Sequence, residues 1–260
     1  MSKSVSKKPA NSRFVGAIVV VAILGIGALG FAVSRPRAGI KPVDPNLPAG
    51  TAEGYLVGRP DAPVQVMEFG DFECPACGSW ANITEPDVRE RLINSGMVSF
   101  RFFDMPLDMH KNTWPASNAV ACAADQGKFL EMHDRVFAAQ DKWNGEAISN
   151  PKKPLMQLAS ELGIDMAKWE GCFDAQTHYA RIKANMLEGV RRGVGQTPTF
   201  IIGSTMYPGN IPFDEFKKYV DKIIADSAKA AKPAAASPGK AAPGKAAAAK
   251  GAPAKGAAKP

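Results

Sequence analysis

The spacing of apolar positions divides the middle of the chain into a strand–helix–strand unit, a helical block, and a closing pair of strands with one more helix. Pro63–Phe69, PVQVMEF, has the mostly apolar character of a buried strand. A helix is expected to begin near Cys74 and run through Trp80 and Ile83, with Pro86 kinking or restarting it and Thr84 as a candidate cap. Met97–Phe103, MVSFRFF, reads as a second strand. Helical segments follow at Pro115–Gln126, Lys128–Gln140, Leu155–Leu162, Met166–Phe173 and Gln176–Arg192; in the second, Phe129, Met132, Val136 and Phe137 recur on one face. Thr199–Ile202 returns to strand, a turn leads to another strand around Met206, and an amphipathic helix from Phe213 to Ile224 ends the pattern. Strands at both ends and helices between them predict an α/β layout whose sheet is assembled across the helical insertion.

Charge and hydropathy set off the flanks. The formal net charge is +7, yet residues 1–41 alone carry seven basic groups and no acid, and residues 228–260 carry seven lysines and no acid. Residues 42–227 are therefore net −7, and no basic patch interleaved with aromatics points to nucleic acid. Phe14–Val33 is 20 residues without a charge, about 30 Å as a helix and enough to cross a bilayer once. That length, with no convincing cleavage site after it, favours an uncleaved anchor over a cleaved signal peptide, and puts the domain that follows outside the cytoplasm. Residues 1–13 then form a basic cytoplasmic segment. Residues 34–52 hold four prolines and read as a linker to a domain at 53–227. The Ala/Lys/Pro/Gly tail at 228–260 has too few apolar side chains to offset chain entropy and reads as disordered, either a solubilising tail or a weak electrostatic attachment.

The chemistry concentrates in EFGDFECPACGSW, Glu68 to Trp80. Four cysteines beyond a membrane-targeting segment allow three disulfide pairings. Cys74–Cys77 is the pairing that a two-residue gap at a strand-to-helix junction most readily forms, leaving Cys122 and Cys172 in the helical block. Zinc calls for a second close-spaced pair of ligands, which neither these two cysteines nor His110, His133 and His178 supply. A loop this small makes a poor structural staple. A redox pair fits better: a helix N-terminus stabilises the Cys74 thiolate, Pro75 loses no helical hydrogen bond at that position, and Cys77 lies one turn on, placed to resolve a mixed disulfide.

With GRPDAPVQVMEFGDFECPACG (58–78), AVACAADQGKF (119–129) and GVGQTPTFIIG (193–203) in this order, the chain resembles the DsbA-like thiol:disulfide oxidoreductases of the thioredoxin superfamily, especially their membrane-tethered extracytoplasmic members. The resemblance covers about residues 53–227. It implies a thioredoxin fold with an inserted all-helical domain at about 105–190. It also implies Cys74 as nucleophile, Cys77 as resolving thiol, and Thr197–Pro198 as the cis-proline dipeptide that leaves a backbone edge for an extended substrate. Glu68 matches a buried acid that relays the Cys77 proton; the alternative is a solvated edge-strand charge. Cys122–Cys172 becomes a structural disulfide, the competing reading being a second redox pair. His110, in PLDMH, reads as a packing or capping residue.

The implied activity is introduction of disulfides into unfolded, cysteine-containing secreted or envelope polypeptides, with a membrane quinone-linked oxidase as recycling partner and no cofactor or metal. The Pro-Ala dipeptide between the cysteines lacks the imidazole of the strongly oxidising members, and Asp71 and Glu73 are expected to raise the Cys74 pKa. Both predict an intermediate potential. A reductase or isomerase of the same fold, and a non-catalytic envelope-tethered binding protein, are the alternatives.

Overall fold

A computed structural model of the protein describes residues 49–230. The predicted segments at 1–13 and 14–33, the linker up to residue 48 and the tail from residue 231 lie outside them. No helix among the described residues is long and apolar enough to cross a membrane.

Five strands make one mixed sheet: β1 (Tyr55–Val57), β2 (Val64–Gly70), β3 (Val98–Asp104), β4 (Thr199–Ile202) and β5 (Thr205–Pro208), ordered β1-β3-β2-β4-β5. β2 and β3 are parallel, with Val66 opposite Phe100 and Glu68 opposite Phe102; the other pairings are antiparallel. β2 is the central strand, which accounts for its nearly unbroken apolar run. β1 escapes sequence reading because three residues are too few to display a period.

The connection from β2 to β3 holds α1 (Pro75–Ile83), α2 (Glu85–Val88) and a π-helical turn (Arg89–Ile93). Pro86 sits in the first turn of α2, so the restart occurs where a proline costs no helical hydrogen bond. Thr84 has helical dihedrals and makes no side-chain cap bond, so the expected cap is absent; its N–H instead closes α1 onto the Trp80 carbonyl. Trp80 pins α1 to the sheet. Its ring packs among Phe100, Phe200 and Phe216, and its Nε1–H donates to the Ile211 carbonyl at 3.1 Å, so burial leaves no polar atom unpaired.

Between β3 and β4 come α3 (Thr113–Ala124), α4 (Phe129–Ala138), α5 (Gln140–Trp143), α6 (Lys152–Ser160), α7 (Met166–Ala175) and α8 (Tyr179–Arg191). α3 buries Ala116, Ala119, Ala121 and Ala123, side chains small enough to let neighbouring helices approach closely. Trp169 of α7 packs against it and donates to the Ala119 carbonyl at 3.0 Å. The Cys122–Cys172 disulfide joins α3 to α7. α8 returns to the sheet through Asn185, which donates to Asp104 at 3.0 Å and accepts from the Glu53 N–H at 2.9 Å. The last helix, α9 (Phe213–Ala230), runs past its predicted end at Ile224 on exposed residues that carry no apolar stripe.

Replacing Cys122 and Cys172 together by alanine opens a cross-link spanning 50 residues. The expected loss is roughly 4 kcal/mol of unfolding free energy, measured by urea unfolding of the oxidised proteins. A loss below about 1 kcal/mol would mean that packing alone already holds α3 and α7 together.

Candidate active site

Cys74 is the N-cap residue of α1, in extended conformation, with Pro75 opening the first turn. Its side chain makes no cap hydrogen bond, and the thiol donates to the Thr197 carbonyl at 3.5 Å. Thr197 and Pro198, joined by a cis peptide bond, precede β4, the antiparallel neighbour of β2, which brings them against the cysteine loop. The Thr197 hydroxyl is buried and has no hydrogen-bond partner among the described residues. Both Cys74 and Cys77 are free thiols, Cys74 slightly accessible and Cys77 fully enclosed.

The two sulfurs are electrostatically unlike. Cys74 is lowered to about 6, chiefly by the hydrogen bond it accepts from the Cys77 thiol; burial opposes this, and Thr197 with the N–H groups of Cys77 and Ala76 adds to it. Cys77 is pushed well up, first by burial and then by its bond to Cys74 and the charges of Cys74 and Glu68. The Asp71 N–H, 3.5 Å from the Cys77 sulfur, pulls weakly the other way.

Asp71 and Glu73, expected to raise Cys74, are not among the groups with the largest hold on it. Their carboxylates are spent as clamps. Asp71 accepts from the Glu73 N–H at 2.8 Å, the Thr113 hydroxyl at 2.5 Å and the Leu107 N–H at 2.9 Å, and it meets His110 Nδ1 at 2.7 Å. Glu73 accepts from the N–H groups of Asn112 and Gly145. Together they tie the cysteine loop to the start of the helical block. Gln140 ties it from above, donating to the Phe72 and Cys74 carbonyls at 2.7 and 3.0 Å. It approaches over Gly78, where a Cβ would come within 2.3 Å of its side-chain oxygen.

His110 is the functional candidate that sequence reasoning set aside. It lines a shallow cavity of about 170 Å³ with Glu73, Pro75, Met109 and Gln140. Its bond to Asp71 raises its pKa against the effect of burial, with Asp71, Glu73 and Cys74 adding charge in the same direction. An imidazole whose charged form is favoured thus stands beside the cysteine loop although none lies between the cysteines. Its signal was the PLDMH stretch, but only the fold brings that stretch to Asp71.

Glu68 lies on the central strand, 1% exposed, and not on a solvated edge. Burial pushes its carboxyl well above the usual range, the Glu85 charge pushes further, Arg89 pulls back, and Cys74 adds to the rise. Cys122 and Cys172 stand apart in the helical block. With His178 they offer three donor atoms within 4.8 Å, but the sulfurs are bonded to each other and so supply no thiolates to a metal.

A family model described as thioredoxin matches residues 51–222. Among relatives, a Na(+)/H(+) antiporter NhaA 3 of Salinispora tropica is 32% identical over 169 residues, 65% of this chain and 23% of its own length. A probable disulfide bond formation protein D of Bacillus anthracis is 27% identical over 169 residues, 64% of this chain and 76% of its own. The chain thus spans about a quarter of the length of the antiporter relatives it matches. Chlamydia trachomatis DsbA superposes with a TM-score of 0.62 at 19% identity, covering 72% of this chain and 100% of that one. Oxidised BdbD of Bacillus subtilis does so with 0.56 at 21% identity, covering 68% and 99%.

The lowered Cys74 pKa has a definite consequence for stability. Its ordinary value is 9.0 and its folded value about 6, so the stabilisation of the reduced fold is complete above pH 9, shrinks as pH falls, and is gone below pH 6. Unfolding of the reduced protein and of Cys74→Ser at several pH values checks this: the gap between them widens from pH 6 to 9, and a constant gap refutes it. Ultraviolet titration of the thiolate in His110→Gln gives a Cys74 midpoint higher than in the parent; an unmoved midpoint would make His110 purely a clamp.

Proposed function

The chain belongs to the thioredoxin family, and from that premise we propose that it is a DsbA-like extracytoplasmic thiol:disulfide oxidoreductase that introduces disulfides into secreted or envelope proteins. The observation that carries this reading is the opposed pair of thiols: a Cys74 that just reaches the surface, lowered to about 6, beside a fully enclosed Cys77 pushed well up. In the oxidised protein a substrate thiolate attacks the Cys74 sulfur, the Cys74–Cys77 bond breaks, and Cys77 leaves and takes up a proton. A second substrate thiolate then attacks the substrate sulfur of the mixed disulfide. The substrate gains its disulfide, and Cys74 leaves as a thiolate that the site already stabilises, which makes it a good leaving group. The substrate is oxidised by two electrons and the cysteine pair reduced by two.

Thr197 and Pro198 present backbone to an extended substrate beside Cys74, and Glu68 handles the Cys77 proton. The uncharged Phe14–Val33 segment supports a membrane tether with the domain outside the cytoplasm. The substrates are unfolded polypeptides with paired cysteines, and a quinone-linked membrane oxidase returns the site to the disulfide. The Pro-Ala dipeptide favours a second reading in which electrons flow the other way, as in a reductase or isomerase.

Equilibration of the Cys74–Cys77 pair with glutathione separates the two. A potential of about −120 to −180 mV supports oxidation of substrates, and one near about −270 mV overturns it in favour of reduction. In the same assay Cys74→Ser abolishes exchange, whereas Cys77→Ser accumulates a mixed disulfide through Cys74. A parent protein that performs no exchange, with polypeptide binding that survives both substitutions, would leave only a binding protein.

A further inference from the structure

Other donor atoms crowd the Cys122–Cys172 bond. Cys122 lies in the last turn of α3, and Asp125 caps the end of that helix. Cys172 lies in the last turn of α7, where Gln176, left-handed at φ 55°, turns the chain back so that His178 stands at the N-cap of α8. The Thr177 N–H and hydroxyl hold this turn, each donating to the Cys172 carbonyl at 3.2 Å, and the His178 N–H donates to Asn118 Oδ1 at 3.1 Å. Two helix ends thus bring four side chains to one spot. His178 Nε2 is 2.7 Å from Asp125 Oδ2, and the Cys172 sulfur is 3.9 Å from the same oxygen. The two sulfurs and a His178 ring nitrogen all lie within 4.8 Å of one another.

The cluster is closed on one side and open on the other. Cys122 is 1% exposed, whereas Cys172 is half-buried and the Asp125 side chain is 51% exposed. Two thiols, an imidazole and a carboxylate are the donor types of a tetrahedral zinc centre. The Cα atoms of Cys122 and Cys172 are 5.9 Å apart. With the sulfurs turned about their Cα–Cβ bonds, two zinc–sulfur bonds of about 2.3 Å span that separation. The ion takes the place of the proton held between His178 and Asp125. Neither Cys122 with Asp125 nor Cys172 with His178 makes the two-cysteine knuckle by which a zinc site is read from sequence, and only the packing of α3 against α7 joins the two pairs.

We propose that the Cys122–Cys172 disulfide covers a latent zinc site: once it is reduced, Cys122, Cys172, His178 and Asp125 bind one Zn2+, which takes over the task of joining α3 to α7. The reductant is a dithiol, small or carried by a protein. One of its thiolates attacks the Cys172 sulfur, the more exposed of the two; the Cys122–Cys172 bond breaks and Cys122 leaves as a thiolate. The second thiolate of the reductant then closes the reductant's own disulfide and releases Cys172. The protein gains two electrons and the reductant loses two. The ion holds both sulfurs as thiolates, displacing any proton they have taken up. This site is separate from Cys74 and Cys77 and does not depend on the oxidoreductase reading.

The test uses the full chain with Cys74→Ser and Cys77→Ser, so that Ellman's reagent counts only Cys122 and Cys172. The protein is reduced with a phosphine, which is removed before metal is added without air. Co2+ serves as a coloured probe. The reduced protein is expected to take up one equivalent, with the visible bands of a tetrahedral ion and the near-ultraviolet charge transfer of thiolate ligands, and Zn2+ displaces it. The oxidised protein takes up none. His178→Ala and Asp125→Ala each weaken Zn2+ binding at least about tenfold, read by competition with a chromogenic chelator. A reduced protein that binds no Co2+, or binding that is unchanged in the oxidised protein or in either alanine variant, overturns the proposal. Should the reduced chain lose its fold, near-ultraviolet circular dichroism decides: recovery of the native spectrum on adding Zn2+ supports the site, and a chain that stays unfolded refutes it.

Discussion

Cys74 stands in extended conformation at the N-cap of α1, where the Cys77 thiol one turn on, aided by the first N–H groups of the helix, favours its thiolate. The first N–H groups of any helix lack intrahelical partners, and a thiolate is one way to satisfy them. Much of the remaining structure keeps this arrangement in register. Trp80 holds α1 down on the sheet, Gln140 fastens the carbonyls on either side of the loop, and the β2–β4 pairing delivers Thr197 to the sulfur.

Four acidic residues lie within a few positions of the cysteines in sequence or space, and the fold gives them two different tasks. Asp71 and Glu73 are consumed by backbone N–H groups, a hydroxyl and an imidazole, so their charge serves to fasten loops. Glu68 and Glu85 sit in the interior, each with one oxygen unpartnered; Glu85 is paired with Arg89 through its other oxygen, and burial pushes the Glu68 carboxyl well up. Distance along the chain does not predict this division. It follows from which hydrogen-bond donors each carboxylate meets.

The helical block completes the site as well as covering it. His110, Asn112, Thr113 and Gln140 all belong to the segment between β3 and β4, and each bonds to the cysteine loop or to the acids that shape it. The Cys122–Cys172 disulfide ties α3 to α7 within that block, well separated in sequence from the redox pair. An insertion braced in this way supplies fixed donors to the active loop, which a thioredoxin sheet with its flanking helices would have to find elsewhere.

Periodicity and short-range chemistry were enough to read the alternation of strands and helices, the start of α1 at the cysteine pair, and the restart at Pro86, because each depends on residues within one or two turns of each other. Matches at three separated motifs carried the thioredoxin-type layout, since together they specify which strands meet. What the chain alone could not decide were quantities set by contacts over long separations. β1 was too short to show a pattern, and Thr84 satisfied the cap rule by type while its backbone continued in helical geometry. The acidity of Cys74 was misjudged from the nearby acids, because whether a carboxylate raises a neighbour's pKa depends on the donors already holding it. His110 acquired meaning only when the segment after β3 brought it to Asp71. Sequence determines which groups are present and which local conformations they prefer; tertiary structure decides which of them lose water and which partners they gain, and those two quantities set the charges at this site.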